Sequence, residues 1–386
     1  MNQLTLLIIL TTINHLSYVG VRLTVSLYAL RLEASPAMVG VLAALFAVLG
    51  ALTSVSVGRW IDRIGPRKPM LAGMAIMVAG TGLAFFWRDL EALFIVSAVV
   101  GAFYNIYFIA QQQLIGDYGH PEDRIANFTR AALGYSAASF LGPLLAGFAI
   151  DTLGHPATFA LLAMLPLMPL TVIASNKLAV SGMKKKRSAP AGGERPGSVF
   201  QLLRDRKLRR IYAVSVLSVA TWNIYGFLMP IYGAQIGLSA STIGVIIGSF
   251  SLGTVAVRVL MRLLTRRFTP WQLLTIALAS ASISFIAIPA MAGAPLLILF
   301  SFWLGMGMGV SGPLSLTLLH EAAPPERLGE LIGLRVMLMN GSQTVVPLLA
   351  GAAGATLGLA PVFWALAAVL LGGSYAVRGQ WRRPRG

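Results

Sequence analysis

The chain reads as long apolar stretches separated by short polar connections. Leu4–Leu30, Met38–Val57, Met70–Phe86 and Ala92–Ile109 set the pattern, and each is long enough to cross a hydrocarbon core of about 30 Å. No stretch alternates apolar and polar residues with period two, so helices are predicted rather than barrel strands. Continued along the sequence, the pattern predicts spans near 4–31, 37–58, 69–87, 92–115, 126–150, 157–176, 210–235, 241–261, 271–292, 295–319, 329–355 and 361–378. The first run has no basic residues before it and no small-residue cleavage site after it, so it reads as a retained helix. The expected fold class is an all-α integral membrane protein of about twelve transmembrane helices.

The two halves of this pattern are copies. At an offset of 204 (232 − 28), Tyr28 pairs with Tyr232, Ser35 with Ser239, Arg63 with Arg267, Pro66 with Pro270, Ser97 with Ser301 and Gly101 with Gly305. Pro143-Leu144-Leu145-Ala146-Gly147 pairs with Pro347-Leu348-Leu349-Ala350-Gly351, and Phe159 pairs with Phe363. Apolar sequence gives chance identities, but not a run of Pro, Gly, Arg and Tyr identities at one spacing. Two parallel six-helix repeats related by an axis along the membrane normal are a plan used by membrane carriers. The expected organisation is an N-terminal half at 1–176, a cytoplasmic linker at 177–209 with a short basic amphipathic helix from Ser198 to Arg210, a C-terminal half at 210–378, and a basic tail at 379–386.

Composition agrees with a bilayer solvent: 56% of residues are hydrophobic and 11% charged, against about 25% charged in a soluble domain. The net charge of +17 could point to nucleic acid, but the basic residues sit at helix ends and in alternate connections. That distribution places both termini and the long linker in the cytoplasm. The expected location is a bacterial inner (plasma) membrane. No cysteine is present, which excludes disulfides, thiolate metal sites and cysteine nucleophiles. A nucleotide-binding Gly-x-x-x-x-Gly-Lys loop, a His-rich metal helix and a carboxylate pair within a span are also missing from the sequence. An ATP-driven pump and an enzyme are therefore not expected, nor is a metal site or a cofactor.

After the second span the sequence reads Gly58-Arg-Trp-Ile-Asp62-Arg63-Ile-Gly65-Pro-Arg67-Lys68. This resembles the G-x-x-x-D-R-x-G-R-R/K signature of the major facilitator superfamily, and with the duplication the resemblance covers the whole chain. It implies a conformational-switch role for Gly58, Asp62, Arg63, Gly65, Arg67 and Lys68. The Asp62 carboxylate would dock near the start of the eleventh helix, around Leu328 with Arg335 one or two turns in, drawn by the positive end of that helix. The second copy departs from the motif, with Arg262 and Arg266 where the first has Gly58 and Asp62. Within span five, Ala138-x-x-x-Gly142-Pro143-x-x-Ala146-Gly147 is similar to a motif of the family's drug and metabolite exporters, with Ala in place of one Gly. Repetition of the pattern at Pro347–Gly351 leaves helix packing as an equal reading. Gly142, Pro143, Gly147 and Pro347 are the expected kink positions. Proton-coupled exporters usually carry an Arg four residues before a Gly in span four, where this chain has Ser97 before Gly101.

Polar groups inside spans are expensive and so mark candidate sites. The expected substrate-binding residues are Asn14, His15, Tyr18, Arg22, Tyr104, Asn105, Trp222, Asn223, Tyr225, Asn340 and Gln343. Spacings of three, four and seven place His15, Tyr18 and Arg22 on one helical face. The thirteen acidic residues all fall in loops or at helix ends, so no mid-span carboxylate balances Arg22. His15 is the remaining mid-span titrating group and the candidate for proton coupling. Asp117, Arg130, Glu321 and Arg335, near the cytoplasmic ends, join the switch residues. The expected activity is secondary transport of a small molecule by a monomer working through alternating access, with the lipid bilayer as solvent. Proton-coupled export of a drug or metabolite is the first reading. Uptake or exchange of an organic anion contacted by Arg22 is the second, and a non-transporting membrane sensor or scaffold is the rival from another class.

Overall fold

The computed structural model describes residues 3–119, 123–175, 205–322 and 328–379. Among these, all regular structure is helical. The first half contains α1 Gln3–Arg31, α2 Pro36–Ile64, α3 Arg67–Phe86, α4 Leu90–Asp117, α5 Arg124–Leu153, α6 His155–Met164 and α7 Leu167–Ala174. The second contains α8 Arg206–Gln235, α9 Ala240–Arg267, α10 Pro270–Ala287, a 3₁₀ turn Ile288–Ala290, α11 Ala294–Gly309, α12 Ser311–Ala322, α13 Leu328–Leu357 and α14 Leu359–Arg378. Eleven stretches are long and apolar enough to cross a bilayer among the described residues, and α13 is a further helix of 30 residues.

Two expected spans are broken. The sixth divides at Pro166 into α6 and α7, and the tenth divides at Val310 into α11 and α12. A proline supplies no N–H and crowds the carbonyl four residues back, so Pro166 accounts for the first break. The seventh expected span, α8, begins at Arg206, so Arg206–Arg210 form its first turn rather than the end of a separate amphipathic helix. The rest of that helix, and the linker from 176 to 204, lie outside the described residues.

Exposure identifies the solvent. Leu52, Val259 and Phe86 are 75%, 77% and 82% exposed. Bulky apolar side chains so open to the surface along helical spans fit a surface bathed in hydrocarbon, where helices satisfy their own backbone groups.

The chain divides into two compact units, one of residues 1–186 and 229–248, the other of residues 187–228 and 249–386. In the first, α1 packs on α5, α2 and α3 on α4, and α6 on α3. A cluster of Leu7, Leu10, Ile61, Met70, Leu114 and Tyr107 closes one end, where α1 and α3 begin and α2 and α4 finish. In the second unit, α10 packs on α14 and α11, and α14 on α13.

The repeat extends from sequence to contacts. Helices α5 and α13 both run 30 residues, with Pro143 and Pro347 at the same position. The glycines after them, Gly154 and Gly358, have φ of 80° and 82°. In the first unit α4 approaches α2 so closely that a Cβ on Gly101 would strike the Phe46 backbone. In the second, a Cβ on Gly305 would strike the Phe250 backbone. Phe46 and Phe250 are themselves 204 residues apart, so each unit uses one glycine at one place to join the same pair of helices.

Candidate functional site

The cluster richest in chemistry lies inside the first unit. His15 Nδ1 shares a 2.5 Å hydrogen bond with Tyr104 Oη. The Tyr18 and Tyr104 rings stack with centroids 3.7 Å apart and planes 9° apart. Tyr135 of α5 sets its ring against His15 at 5.1 Å in an edge-on arrangement, and its hydroxyl accepts from Gln111 Nε2. Phe46 of α2 meets Tyr18 edge-to-face at 5.9 Å. Four helices thus build one cluster, in which three phenols surround the imidazole and Phe46 backs Tyr18.

The Arg22 guanidinium lies 5.9 Å from the Tyr18 ring centroid and 5.9 Å from that of Phe46. Such contacts are worth about 0.5–2 kcal/mol and leave the N–H donors unused. Among the described residues no carboxylate or carbonyl hydrogen-bonds this guanidinium. Arg22 is half-buried, one turn along α1 from Tyr18.

Other expected substrate residues on the first half have different surroundings. Asn14 is fully buried, with Nδ2 4.0 Å from Met77 S and Oδ1 without a partner among the described residues. It faces α3 rather than the imidazole. Asn105 Nδ2 donates to Gly50 O and Ser54 Oγ, each at 3.2 Å, fastening α4 to α2.

The second unit repeats the aromatic frame and loses the charge. Trp222, the counterpart of Tyr18, meets Phe250 edge-to-face at 4.7 Å and 82°, as Tyr18 meets Phe46. Tyr225 stacks on Phe250 and donates to Ser301 Oγ at 2.7 Å. At the positions matching His15, Arg22, Tyr104 and Tyr135 stand Val219, Gly226, Met308 and Met339. Asn223 donates to Val219 O of its own helix at 2.9 Å. Asn340 and Gln343 are half-buried, and their side chains have no hydrogen bond among the described residues.

Of the expected switch residues, Gly58, Asp62, Arg63, Gly65, Arg67 and Lys68 lie where α2 meets α3, whereas Arg130 is on α5, Glu321 on α12 and Arg335 on α13. Asp62 is exposed and accepts from Gln113 Nε2 at 2.8 Å. Gly65 turns the chain with φ 81°. Arg67 donates to Ile173 O and Ala174 O at 3.3 and 3.0 Å, capping the last carbonyls of α7. Gly58 is open to space, and Arg63, Lys68, Arg130 and Glu321 are exposed. Half-buried Arg335 donates through Nε to Ser215 Oγ at 3.4 Å. The Asp117 side chain lies outside the described residues. Buried Ser97, in the place of the exporters' Arg, has no partner for its hydroxyl among the described residues.

Sequence reasoning missed Tyr135 and Phe46. Phe46 was recoverable from the duplication, because Tyr18 and Trp222, and Phe46 and Phe250, are aromatic in both copies. Tyr135 has no such signal.

Helices of membrane-spanning length in two copies of one repeat, with a polar aromatic cluster inside the first, define a polytopic membrane protein. The chain belongs to the Major Facilitator Superfamily, whose sequence profile matches residues 7–340 and 211–385. It is a multi-pass membrane transporter and not an enzyme. Among curated protein sequences, none matches it. Solved structures with the same fold include a POT family transporter in complex with 5-aminolevulinic acid, with TM-score 0.80, 14% identity, and 98% of this chain and 96% of that one covered. The nucleoside transporter NupG, in a mutant form, gives TM-score 0.78 at 13% identity over 99% of this chain and 100% of that one. A bacterial homolog of the human lysosomal transporter Spinster, inward-facing and occupied, gives 0.76 at 12% over 99% and 98%.

Proposed function

We propose that this protein is a proton-coupled secondary transporter of a small organic anion, held in the first half by Arg22 and the His15–Tyr18–Tyr104 cluster. The observation that carries the reading is the half-buried Arg22 guanidinium, which no carboxylate or carbonyl hydrogen-bonds among the described residues. A cation in that setting favours an anionic ligand, because the fork of N–H donors matches a carboxylate or phosphate. The stacked tyrosines add ring faces and hydroxyls beside it, suiting a substrate with a planar body. Coupling falls to His15, whose imidazole already shares a hydrogen bond with a phenol. Export is the direction favoured by the likeness of Gly142–Gly147 to the exporters' motif. The Gly58–Lys68 loop, with Asp62 engaged by Gln113 in this state, takes the conformational role that the family resemblance implies.

The test uses proteoliposomes containing a trapped pH dye and an imposed proton gradient. Aromatic carboxylates are expected to dissipate the gradient, while organic cations and neutral sugars leave it intact. Dissipation by cations alone would overturn the anionic reading and favour a drug-type antiporter. For the coupling role, His15→Asn is expected to flatten the pH dependence of anion flux, because the imidazole is the group that would carry the proton. An unaltered pH profile at normal expression removes His15 from the coupling step.

A further inference from the structure

The first compact unit contains more than the first repeat, because residues 229–248 cluster with it. These form the end of α8 and the start of α9, and by the duplication they belong to the second repeat. Two separate features dock them. One is backbone against backbone: a Cβ on Gly147 of α5 would strike the Ala240 carbonyl, and one on Gly244 of α9 would strike the Pro143 carbonyl. Pro143 and Gly147 of the motif therefore face α9, while Gly142 faces Leu16 and Gly20 of α1.

The other feature is a carboxylate. Asp151 Oδ1 accepts from Ala240 N–H at 3.1 Å, and Oδ2 accepts from Ser241 N–H at 2.8 Å. The first amides of a helix have no intrahelical partner and form its positive end. Ser239 Oγ accepts from Thr242 N–H at 3.2 Å in the usual capping manner, so Asp151 takes the two amides that the local cap leaves. The other repeat has no equivalent. Ala355 stands at the matching position, and the matching helix starts with Pro36, which has no N–H to offer. Asp151 is itself exposed and lies beside a cavity of about 720 Å³ that Arg31, Arg88 and His155 also line. Water can therefore replace the two amides without leaving a bare buried charge, so the bond is breakable.

We infer that Asp151 is a releasable latch, whose carboxylate holds the start of α9 against α5 in one state of the transport cycle and frees it in another. Cycling needs one end of the molecule to open as the other closes. The backbone contacts of Gly147 with Ala240 and of Gly244 with Pro143 carry no charge with which to set the balance. The inference rests on the carrier reading and not on the substrate class.

Its test needs no substrate, so its failure is separable from failure of the anion assignment. The chain has no cysteine, so Ala240→Cys provides one thiol, at a residue 9% exposed that lines the cavity. Reaction with a membrane-impermeant maleimide is expected to quicken about fivefold to tenfold when Asp151→Ala is added, and by a smaller factor with Asp151→Asn, as for loss of a helix cap. An unchanged labelling rate in either monodisperse variant overturns the latch. Lower melting temperature with unchanged labelling marks a merely structural cap and overturns it equally. If Asp151→Ala fails to accumulate, the isosteric Asp151→Asn decides.

Discussion

Arg22→Ala is expected to reduce organic-anion flux in proteoliposomes by roughly 30-fold or more, with protein yield and monodispersity unchanged. Removing one partner of a desolvated charge pair costs about 2–5 kcal/mol, and 2 kcal/mol is about a 30-fold change in affinity. Among the described residues the Arg22 side chain makes cation–π contacts alone, so its loss is expected to act on the substrate complex and not on folding. Arg22→Lys should fall between, because it keeps the charge and loses the bidentate fork. Anion flux within twofold of wild type in Arg22→Ala would remove the guanidinium from the site.

The second large effect concerns the glycines that repeat between halves. Gly101→Ala and Gly305→Ala are each expected to destabilise the protein by about 2 kcal/mol or more, as over-packing of a tight helix contact does. The reason is geometric: the added Cβ meets the backbone of Phe46 or Phe250, and backbone cannot rotate aside as a side chain can. Gly82→Ala in α3 is the control, since nothing lies within 4 Å of its added methyl. Melting in detergent, followed by size-exclusion chromatography, should drop by several degrees for the first two and hold for the third. Equal melting of all three would mean that α2 and α4 do not pack as closely as described.

Much of this architecture was legible in the sequence because lipid enforces it. A span must be long, apolar and helical, so length and hydropathy alone placed the helices to within a few residues. The constant offset gave the duplication, the matched pair Gly101/Gly305 marked a contact found in both halves, and Pro143/Pro347 marked the same place in two helices of equal length. The breaks at Pro166 and Val310 were not foreseen, since a broken span has the same hydropathy as a straight one. For the site, helical spacing put His15, Tyr18 and Arg22 on one face, and Tyr104 met them. Tyr135 and the Asp151 contact with Ala240 and Ser241 were invisible, because they depend on which helices become neighbours, and periodicity within one helix cannot report that. Asn14 shows the limit from the other side: one residue from His15, it is turned about 100° round the helix and faces Met77.

The unbroken offset also bears on how the gene can change length. From Tyr28 and Tyr232 to Phe159 and Phe363 the spacing stays at 204, so the two copies keep the same length from the end of the first helix, through four whole helices, to the start of the sixth. One codon inserted inside a span turns everything beyond it by about 100°, exchanging lipid-facing for inward-facing side chains until the next loop absorbs the slip. The join between Gly101 and Phe46 would lose its register with the first such insertion in α2 or α4. Substitutions have made the interiors of the copies differ, with His15 against Val219 and Arg22 against Gly226 at equivalent places, while the reading frame of the helices has stayed fixed.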